Sequence, residues 1–354
     1  MTDPSTISNH SPTQETISNL LAEATPESAA KLDAHANVAV SKEIRKAARR
    51  ALFQLAQRGI KPAERGTAHK PPTPVSAPTD SLSAWASAYD GAGNRLFLLI
   101  LTPTDGGNST VAQTLANDEL GIRDLTLERR RAREIPPLMK RLEERIDGGL
   151  AVAELEPDYA RYLIDEFRKI NVRRAKTTPR GFIDLLPRIG APVRSYSTPP
   201  VYDHLNATEE GCENASEDPA DLFNLPWFEP WFFAAEDVVP WLERWIGLSS
   251  PPDASHETSR DENRQSIIRE VTEKLIPDEV RSRYIVRLEE SADVLRRRER
   301  IVEACMALTH ARALKSEAAI AEVPFALAIT ARTLEAAAEM VTQSNSDNTV
   351  ETGE

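Results

Sequence analysis

Cysteine is scarce in this chain. Only Cys212 and Cys305 occur among 354 residues, and they lie far apart in sequence and in unlike surroundings. This pattern predicts neither a disulfide framework nor a zinc site, and it fits a reducing, cytoplasmic setting. We expect Cys305, on an apolar stretch, to be an inert core thiol, and Cys212, in an acidic stretch, to be a poor nucleophile.

Long apolar runs are also lacking. The nearest candidate, LFLLIL at 96–101, has the length of a strand and is too short to span a membrane. The first residues, MTDPSTISNHSPTQ, contain no basic residue followed by an apolar run, so a secretory signal is not predicted. These absences predict a soluble protein without a membrane role.

Motifs for catalysis or ligand binding are missing as well. The chain has no GxSxG, P-loop or GxGxxG sequence, and its six histidines lack ligand spacing with Cys, Asp or Glu. No metal, cofactor, small-molecule ligand or catalytic residue is therefore predicted. An enzyme with carboxylates in an interdomain cleft stays open as an alternative, because Glu154, Glu156 and Asp158 have the chemistry of an acid and a base.

Positive charge is scarce overall but concentrated early. The net charge of −12 argues against a general nucleic-acid binder, yet residues 41–70 hold nine cationic and two acidic residues, a net charge of +7. The segment SKEIRKAARRALFQLAQRGIKP predicts a helix over 41–58. Ser41 suits its N-cap, and Gly59 suits the position after its C-terminal end.

This helix is amphipathic, with apolar residues on one side and cations on the other. The cations lack the acidic i, i+4 partners that are usual on a solvated face. We predict contact with RNA, a ribonucleoprotein or an acidic protein partner, with Phe53 placed to stack on a base. A solvated face without function, or one neutralised by the acidic loop of this chain, is the alternative. The candidate binding residues are Lys42, Arg45, Lys46, Arg49, Arg50, Phe53 and Arg58.

Three further basic clusters follow along the chain. One is FRKINVRRAKTTPR at 167–180, and a second lies within 129–133. These two would form a polyanion groove if they converged with the basic helix. The third, within 296–300, is interpreted as a helix end whose cations complement the C-terminal dipole.

From Ser83 the hydrophobic period changes to two. SAWASAY, RLFLLILT, STVAQTLA and IRDLTLERR predict four strands, separated by the turn sequences DGAGN, DGGN and NDELG. Short turns between sequential strands predict an antiparallel meander. Because LFLLIL is apolar on both faces, we expect a central strand that helices at 136–146 and 157–170 cover. The fold class is α+β, with an α-helical C-terminal domain.

Aromatic residues concentrate in LPWFEPWFFAAEDVVPWLERWIG at 225–247. This segment predicts either a core seam or an exposed docking surface, and the latter gives a second functional hypothesis, a protein-binding helical scaffold. The candidate surface residues are Trp227, Trp231, Trp241 and Trp245.

Composition also predicts the domain boundaries. They are a polar, disordered tail at 1–36, the basic helix at 37–60, a Pro-rich linker at 61–81, the α+β domain at 82–200, an acidic loop at 201–223, the aromatic segment with the helical domain at 224–340, and a disordered tail at 341–354.

Overall fold

The chain divides into two units, and the division falls between Val75 and Ser76 in the computed structural model. The structure describes residues 14–38, 42–57, 60, 80–145, 151–205, 212, 215–248 and 257–351. Each unit has its own apolar core. Most of the predicted linker, 61–79, lies outside the described residues, and β1 begins at its end, at Asp80.

Three helices build the N-terminal unit. They are α1 (Gln14–Glu23), α2 (Pro26–Val38) and α3 (Lys42–Gln57). A reciprocal capping pair begins α2, because Ser28 N donates to Thr25 Oγ1 and Thr25 N donates to Ser28 Oγ, each at 3.0 Å. The core side chains are Ile17, Leu20, Ala29, Leu32, Ala36, Ala48, Ala51 and Leu55.

The predicted disordered tail over 1–36 is therefore wrong for residues 14–36. The buried apolar residues that the structure describes in α2 are Ala29, Leu32 and Ala36, two of which are alanines. An alanine stripe gives a weak periodic signal in sequence, although it lets helices approach closely.

A five-stranded antiparallel sheet forms the first part of the C-terminal unit, in the order β4-β3-β2-β1-β5. The predicted α+β class and the meander of the first four strands are confirmed. A fifth strand, which the sequence did not predict, pairs with β1. The strands are β1 (Asp80–Ser87), β2 (Asn94–Pro103), β3 (Ser109–Asn117), β4 (Gly121–Arg130) and β5 (Val152–Leu155).

The central strand β2 is covered on both faces, as its apolar sequence predicted. Phe97, Leu99 and Leu101 point into the main core, whereas Leu98 and Ile100 join a smaller cluster with the helix that follows β4. Successive side chains of a strand alternate between the two faces of its sheet, so an unbroken apolar run requires cover on both.

Nine α-helices are described in the C-terminal unit. They are α4 (Ile135–Arg145), α5 (Pro157–Arg173), α6 (Phe182–Ile189), α7 (Pro219–Phe223), α8 (Ala235–Gly247), α9 (Glu257–Leu275), α10 (Asp278–Arg297), α11 (Ile301–Lys315) and α12 (Pro324–Glu351). None of these, nor of the three N-terminal helices, has the length and apolar character required of a transmembrane span.

One core joins the sheet to the C-terminal helices. Phe97 of β2, Leu288 of α10 and Phe325 of α12 belong to the same buried cluster. The regions at 82–200 and 224–340, for which the sequence left open whether they share a core, therefore fold around one core. The predicted tail at 341–354 is also wrong for 341–351, because α12 continues to Glu351.

The two cysteines form a disulfide, with Cα atoms 5.3 Å apart. This bond corrects the expectation of two separate thiols and ties the acidic segment around Cys212 to the buried face of α11. A separation of 93 residues gave no local sign of the pairing. The cysteines therefore do not favour a cytoplasmic setting, and that location stays a prediction.

His310 on α11 is buried, and its Nε2 has no hydrogen-bond partner in the part of the chain that the structure describes. Burial lowers the pKa of His310 from its ordinary value of 6.5 to about 4, with Asp218 opposing the shift. The unfolded chain therefore takes up a proton as the pH falls through 6.5, while the folded protein does so only near pH 4.

Because of this histidine, the free energy of unfolding should decrease as the pH is lowered. Lowering the pH from 7 to 5 should reduce the free energy of unfolding of both proteins. The reduction should be about 2 kcal/mol smaller in the His310→Leu variant than in the unmodified protein. Urea titrations followed by tryptophan fluorescence measure this, since all five tryptophans lie in the C-terminal unit. An identical pH slope in both proteins would contradict the prediction.

Candidate functional site

The basic face of α3 comprises Lys46, Arg49, Arg50 and Phe53, all of which are exposed. Arg50 and Arg49 precede Phe53 by three and four residues, about one helical turn, and Lys46 precedes it by seven. The Phe53 side chain is 63% exposed, which is unusual for a large apolar ring. The ring therefore lies within a cationic surface and has access to solvent.

The opposite side of α3 packs into the three-helix core through Ala48, Ala51 and Leu55. This packing fixes the helix orientation and keeps the basic face outward. No described residue forms an ion pair with Lys46, Arg49 or Arg50. The side chains of Lys42 and Arg45, and the whole of Arg58, lie outside the described residues.

Three of the six cations in the basic cluster at 167–180 form ion pairs within the described part of the C-terminal unit. Arg168 contacts Asp165 at 2.7 Å, and Lys169 contacts Glu166 at 2.6 Å. Arg174 lies 3.2 Å from Glu119. Ion pairing leaves less free positive charge here than the composition suggested.

The clusters within 129–133 and 296–300 are also partly paired. Arg130 contacts Glu128 at 2.5 Å. Arg296 and Arg297 both contact the buried carboxylate of Asp293, at 3.0 and 2.7 Å. The second of these clusters therefore has specific ionic partners, in addition to its position near a helix end.

The carboxylates left open for catalysis have structural contacts. Glu156 accepts two hydrogen bonds from Arg297, and these lower its pKa. Asp158 accepts a hydrogen bond from the backbone N–H of Val193 at 2.7 Å. Glu154 is exposed on the edge strand β5. The arrangement gives no paired acid and base.

The tryptophans of the aromatic segment divide into two groups. Trp231 is completely buried, 5.0 Å from Phe228 and 6.0 Å from Tyr284 between ring centroids, and Trp245 is 3% exposed. A side chain without exposed surface cannot contact a partner, which corrects the surface assignment for these two. Trp227 and Trp241 keep partial exposure, so their docking role stays a prediction.

A cleft of about 450 Å³ lies between α5 and α10, closed on one side by residues 196–199. Three tyrosines of its wall pack together. Tyr159 stacks on Tyr162 at 6.0 Å, and the Tyr196 ring contacts that of Tyr159 edge-on at 4.7 Å. The sequence analysis predicted no ligand site here.

Beneath the tyrosines lies a buried ion pair. Arg95 Nη1 donates to Glu290 Oε2 at 2.6 Å, and the two side chains are 0% and 4% exposed. The Tyr159 hydroxyl donates to the other oxygen of Glu290. Arg95 Nε also donates to the carbonyl oxygen of Ser87 at 2.9 Å. Both oxygens of Glu290 are thus engaged, and its charge is balanced.

A second buried ion pair borders the cleft. Arg287 binds Asp118 through two hydrogen bonds of 2.6 and 3.0 Å, and it donates a third to the carbonyl oxygen of Gly91 at 2.8 Å. Gly93 has a φ of +79°, and a Cβ there would lie 2.4 Å from the Arg287 guanidinium. The turn therefore requires glycine for both conformation and space.

Glu289 has an engaged oxygen and a free one. Its Oε1 accepts hydrogen bonds from the Tyr202 hydroxyl at 2.5 Å and from Lys315. No described residue contacts Oε2, and the residue lines the cleft. The carboxylate retains an acceptor for a bound molecule.

Tyr89 reaches the cleft from the end of β1 and is 4% exposed. Its backbone N–H donates to Ser291 Oγ at 3.1 Å, and its ring lies 5.3 Å from the Arg95 guanidinium carbon. Its hydroxyl forms no hydrogen bond with a described residue, and this oxygen is not one of the fully buried atoms that lack a partner. Burial is the main reason that the pKa of Tyr89 is raised, so the phenol stays protonated at neutral pH.

No family model matches the chain, and neither a curated protein nor a solved structure is significantly similar to it. Function is therefore inferred from the geometry of the basic face and of the cleft.

Proposed function

We propose that the protein is a non-enzymatic adaptor that binds single-stranded RNA through the basic face of α3. The supporting observation is the group of exposed cations around an exposed aromatic ring, without ionic partners among the described residues. Cations on one face contact backbone phosphates, whereas the ring stacks on a base. The cytoplasmic location predicted from sequence is part of this proposal.

Single strands fit this surface better than a duplex does. Stacking on Phe53 requires a base that is free of its own stack, and single-stranded segments provide such bases. The face is also short, since its cations span less than two helical turns, about 6 Å. We therefore expect weak to moderate affinity with little sequence preference, as in other phosphate-dominated contacts.

The variant carrying Lys46→Glu, Arg49→Glu and Arg50→Glu should bind single-stranded RNA about a hundredfold more weakly at low salt. It replaces three phosphate contacts by repulsion, and it leaves the buried side of α3 unchanged. Fluorescence anisotropy with labelled oligouridylate measures the affinity. Replacing the same residues by glutamine should make the slope of log affinity against log salt shallower by about 2.

The control is a variant with the same charge change elsewhere, Arg269→Glu, Lys274→Glu and Arg298→Glu. These side chains are exposed and form no ion pair among the described residues. We expect this control variant to bind RNA with little change in affinity. Equal losses in both variants, or binding that is indifferent to salt, would overturn the proposal, and equal affinity for polyglutamate would favour an acidic protein partner.

A further inference from the structure

The lining of the cleft between α5 and α10 combines aromatic rings with apolar side chains. Its volume of about 450 Å³ is within the range of about 300–1,000 Å³ that is usual for small-molecule sites. Tyr89, Tyr159, Tyr162 and Tyr196 contribute rings, and Leu163, Ile170 and Val286 contribute aliphatic surface. Such walls accommodate an apolar body, and tyrosine faces also attract positive charge.

The charged groups of the lining are mostly acidic. Among the described residues, Arg283 is the one cation that lines the cleft. It lies 3.1 Å from Glu119, yet its buried Nε and Nη1 form no hydrogen bond within the described part of the chain. The carboxylates are Asp118, Glu166, Glu279, Glu289 and Glu290.

Cations outside the lining balance four of these carboxylates. Both oxygens of Asp118 and of Glu290 already accept hydrogen bonds, from Arg287, Arg95 and Tyr159, and their charges are balanced. Free acceptors remain at Glu289 Oε2 and at Glu279, which forms no ion pair in the described part of the chain. A cation would therefore find free acceptors at Glu279 and Glu289, whereas among the described lining residues the charged donors open to an anion are those of Arg283.

Tyr89 gives an independent indication of a ligand. The Tyr89 residue is 96% buried, yet its hydroxyl oxygen is not one of the fully buried polar atoms that lack a partner, so this atom keeps access to the cleft. The Tyr89 hydroxyl has no hydrogen-bond partner among the described residues, and the residue lines the cleft. A bound molecule with a hydrogen-bond donor would satisfy the hydroxyl oxygen, and one with an acceptor would satisfy its O–H group.

We propose that this cleft binds a small organic cation, in which an ammonium or guanidinium group is attached to an apolar body. The cationic group donates hydrogen bonds to the Tyr89 hydroxyl oxygen and to Glu289 Oε2, while tyrosine ring faces surround it. The apolar body packs against Leu163, Ile170 and Val286. A free amine and the side chain of a lysine or arginine in a peptide share this chemistry.

The test compares three probes of six carbon atoms each that carry different head groups: hexylammonium, hexanol and hexanoate. Isothermal titration calorimetry with the full-length protein measures their affinities. The proposal expects hexylammonium to bind at least about tenfold more tightly than the other two, since charged hydrogen bonds and ring faces favour the cation. Equal affinities, or tighter binding of hexanoate, would overturn it.

Two phenylalanine substitutions locate the bound cation. Tyr89→Phe removes the unpartnered hydroxyl and keeps the ring, so hexylammonium affinity should fall about three- to tenfold. Tyr162→Phe is the matched control, because that hydroxyl already donates to the carbonyl oxygen of Tyr196 at 3.0 Å. The affinity of the Tyr162→Phe variant for hexylammonium should stay within about twofold of that of the unmodified protein. If the Tyr89→Phe variant bound hexylammonium as tightly as the unmodified protein does, the proposed site would be overturned.

A capped lysine peptide separates the two sources of the cation. Tighter binding of the peptide than of hexylammonium assigns the cleft to a side chain of a protein partner. The reverse order assigns it to a free amine. Binding of neither cation would overturn the proposal for both sources.

Discussion

Replacing Arg95 by methionine should destabilise the C-terminal unit by about 3–5 kcal/mol, the usual cost of leaving one member of a buried ion pair alone. Arg95 contacts Glu290 at 2.6 Å, and neither side chain has more than 4% of its surface exposed. Without the guanidinium, the carboxylate keeps only the hydrogen bond from Tyr159.

The double variant Arg95→Met with Glu290→Gln should recover part of this loss. Glutamine removes the buried charge, and its amide oxygen still accepts the Tyr159 hydroxyl proton. A double-mutant cycle from urea titrations, followed by tryptophan fluorescence, gives the coupling free energy. Additive losses in the cycle would show that the two charges do not stabilise each other.

An exposed ion pair provides the comparison. Arg130 and Glu128 are 41% exposed and lie 2.5 Å apart on β4. Arg130→Met should cost at most about 1 kcal/mol, because water screens this pair and solvates the charge left behind. A similar loss at both sites would mean that burial is not the cause of the Arg95 effect.

Local periodicity explains which parts of the fold could be predicted from sequence. The alternation in β1, β3 and β4, the unbroken apolar run of β2 and the basic stripe of α3 are properties of neighbouring residues. They require no knowledge of distant partners. The predicted strands and the amphipathic character of α3 therefore agree with the structure, while β5, only four residues long, carried too little pattern to be recognised.

Long-range pairing explains why the cleft could not be predicted. By composition, the sequence of α10 resembles an exposed helix, yet Arg287, Glu289 and Glu290 are buried. Their partners, among them Asp118 and Arg95, lie 169 and 195 residues away. Polar residues are mostly exposed, so composition predicts that a charged residue faces solvent. Its burial can be predicted only when its buried partner is known.

Loss of the disulfide should be the second large effect. Cys212→Ala should lower the free energy of unfolding by about 4 kcal/mol, because a bridge across 93 residues removes much conformational entropy from the unfolded chain. Cys305 would then remain as a small buried thiol, which the interior tolerates. Urea titration under oxidising conditions compares the two proteins.

Reduction of the unmodified protein provides the control for this effect. Dithiothreitol should lower its stability by about the same 4 kcal/mol and should leave Cys212→Ala unaffected, because only an intact bridge constrains the unfolded chain. Thiol titration of the denatured protein should find two free thiols after reduction and none before it. Free thiols before reduction, or a stability that dithiothreitol does not change, would contradict a stabilising bridge between the acidic segment and α11.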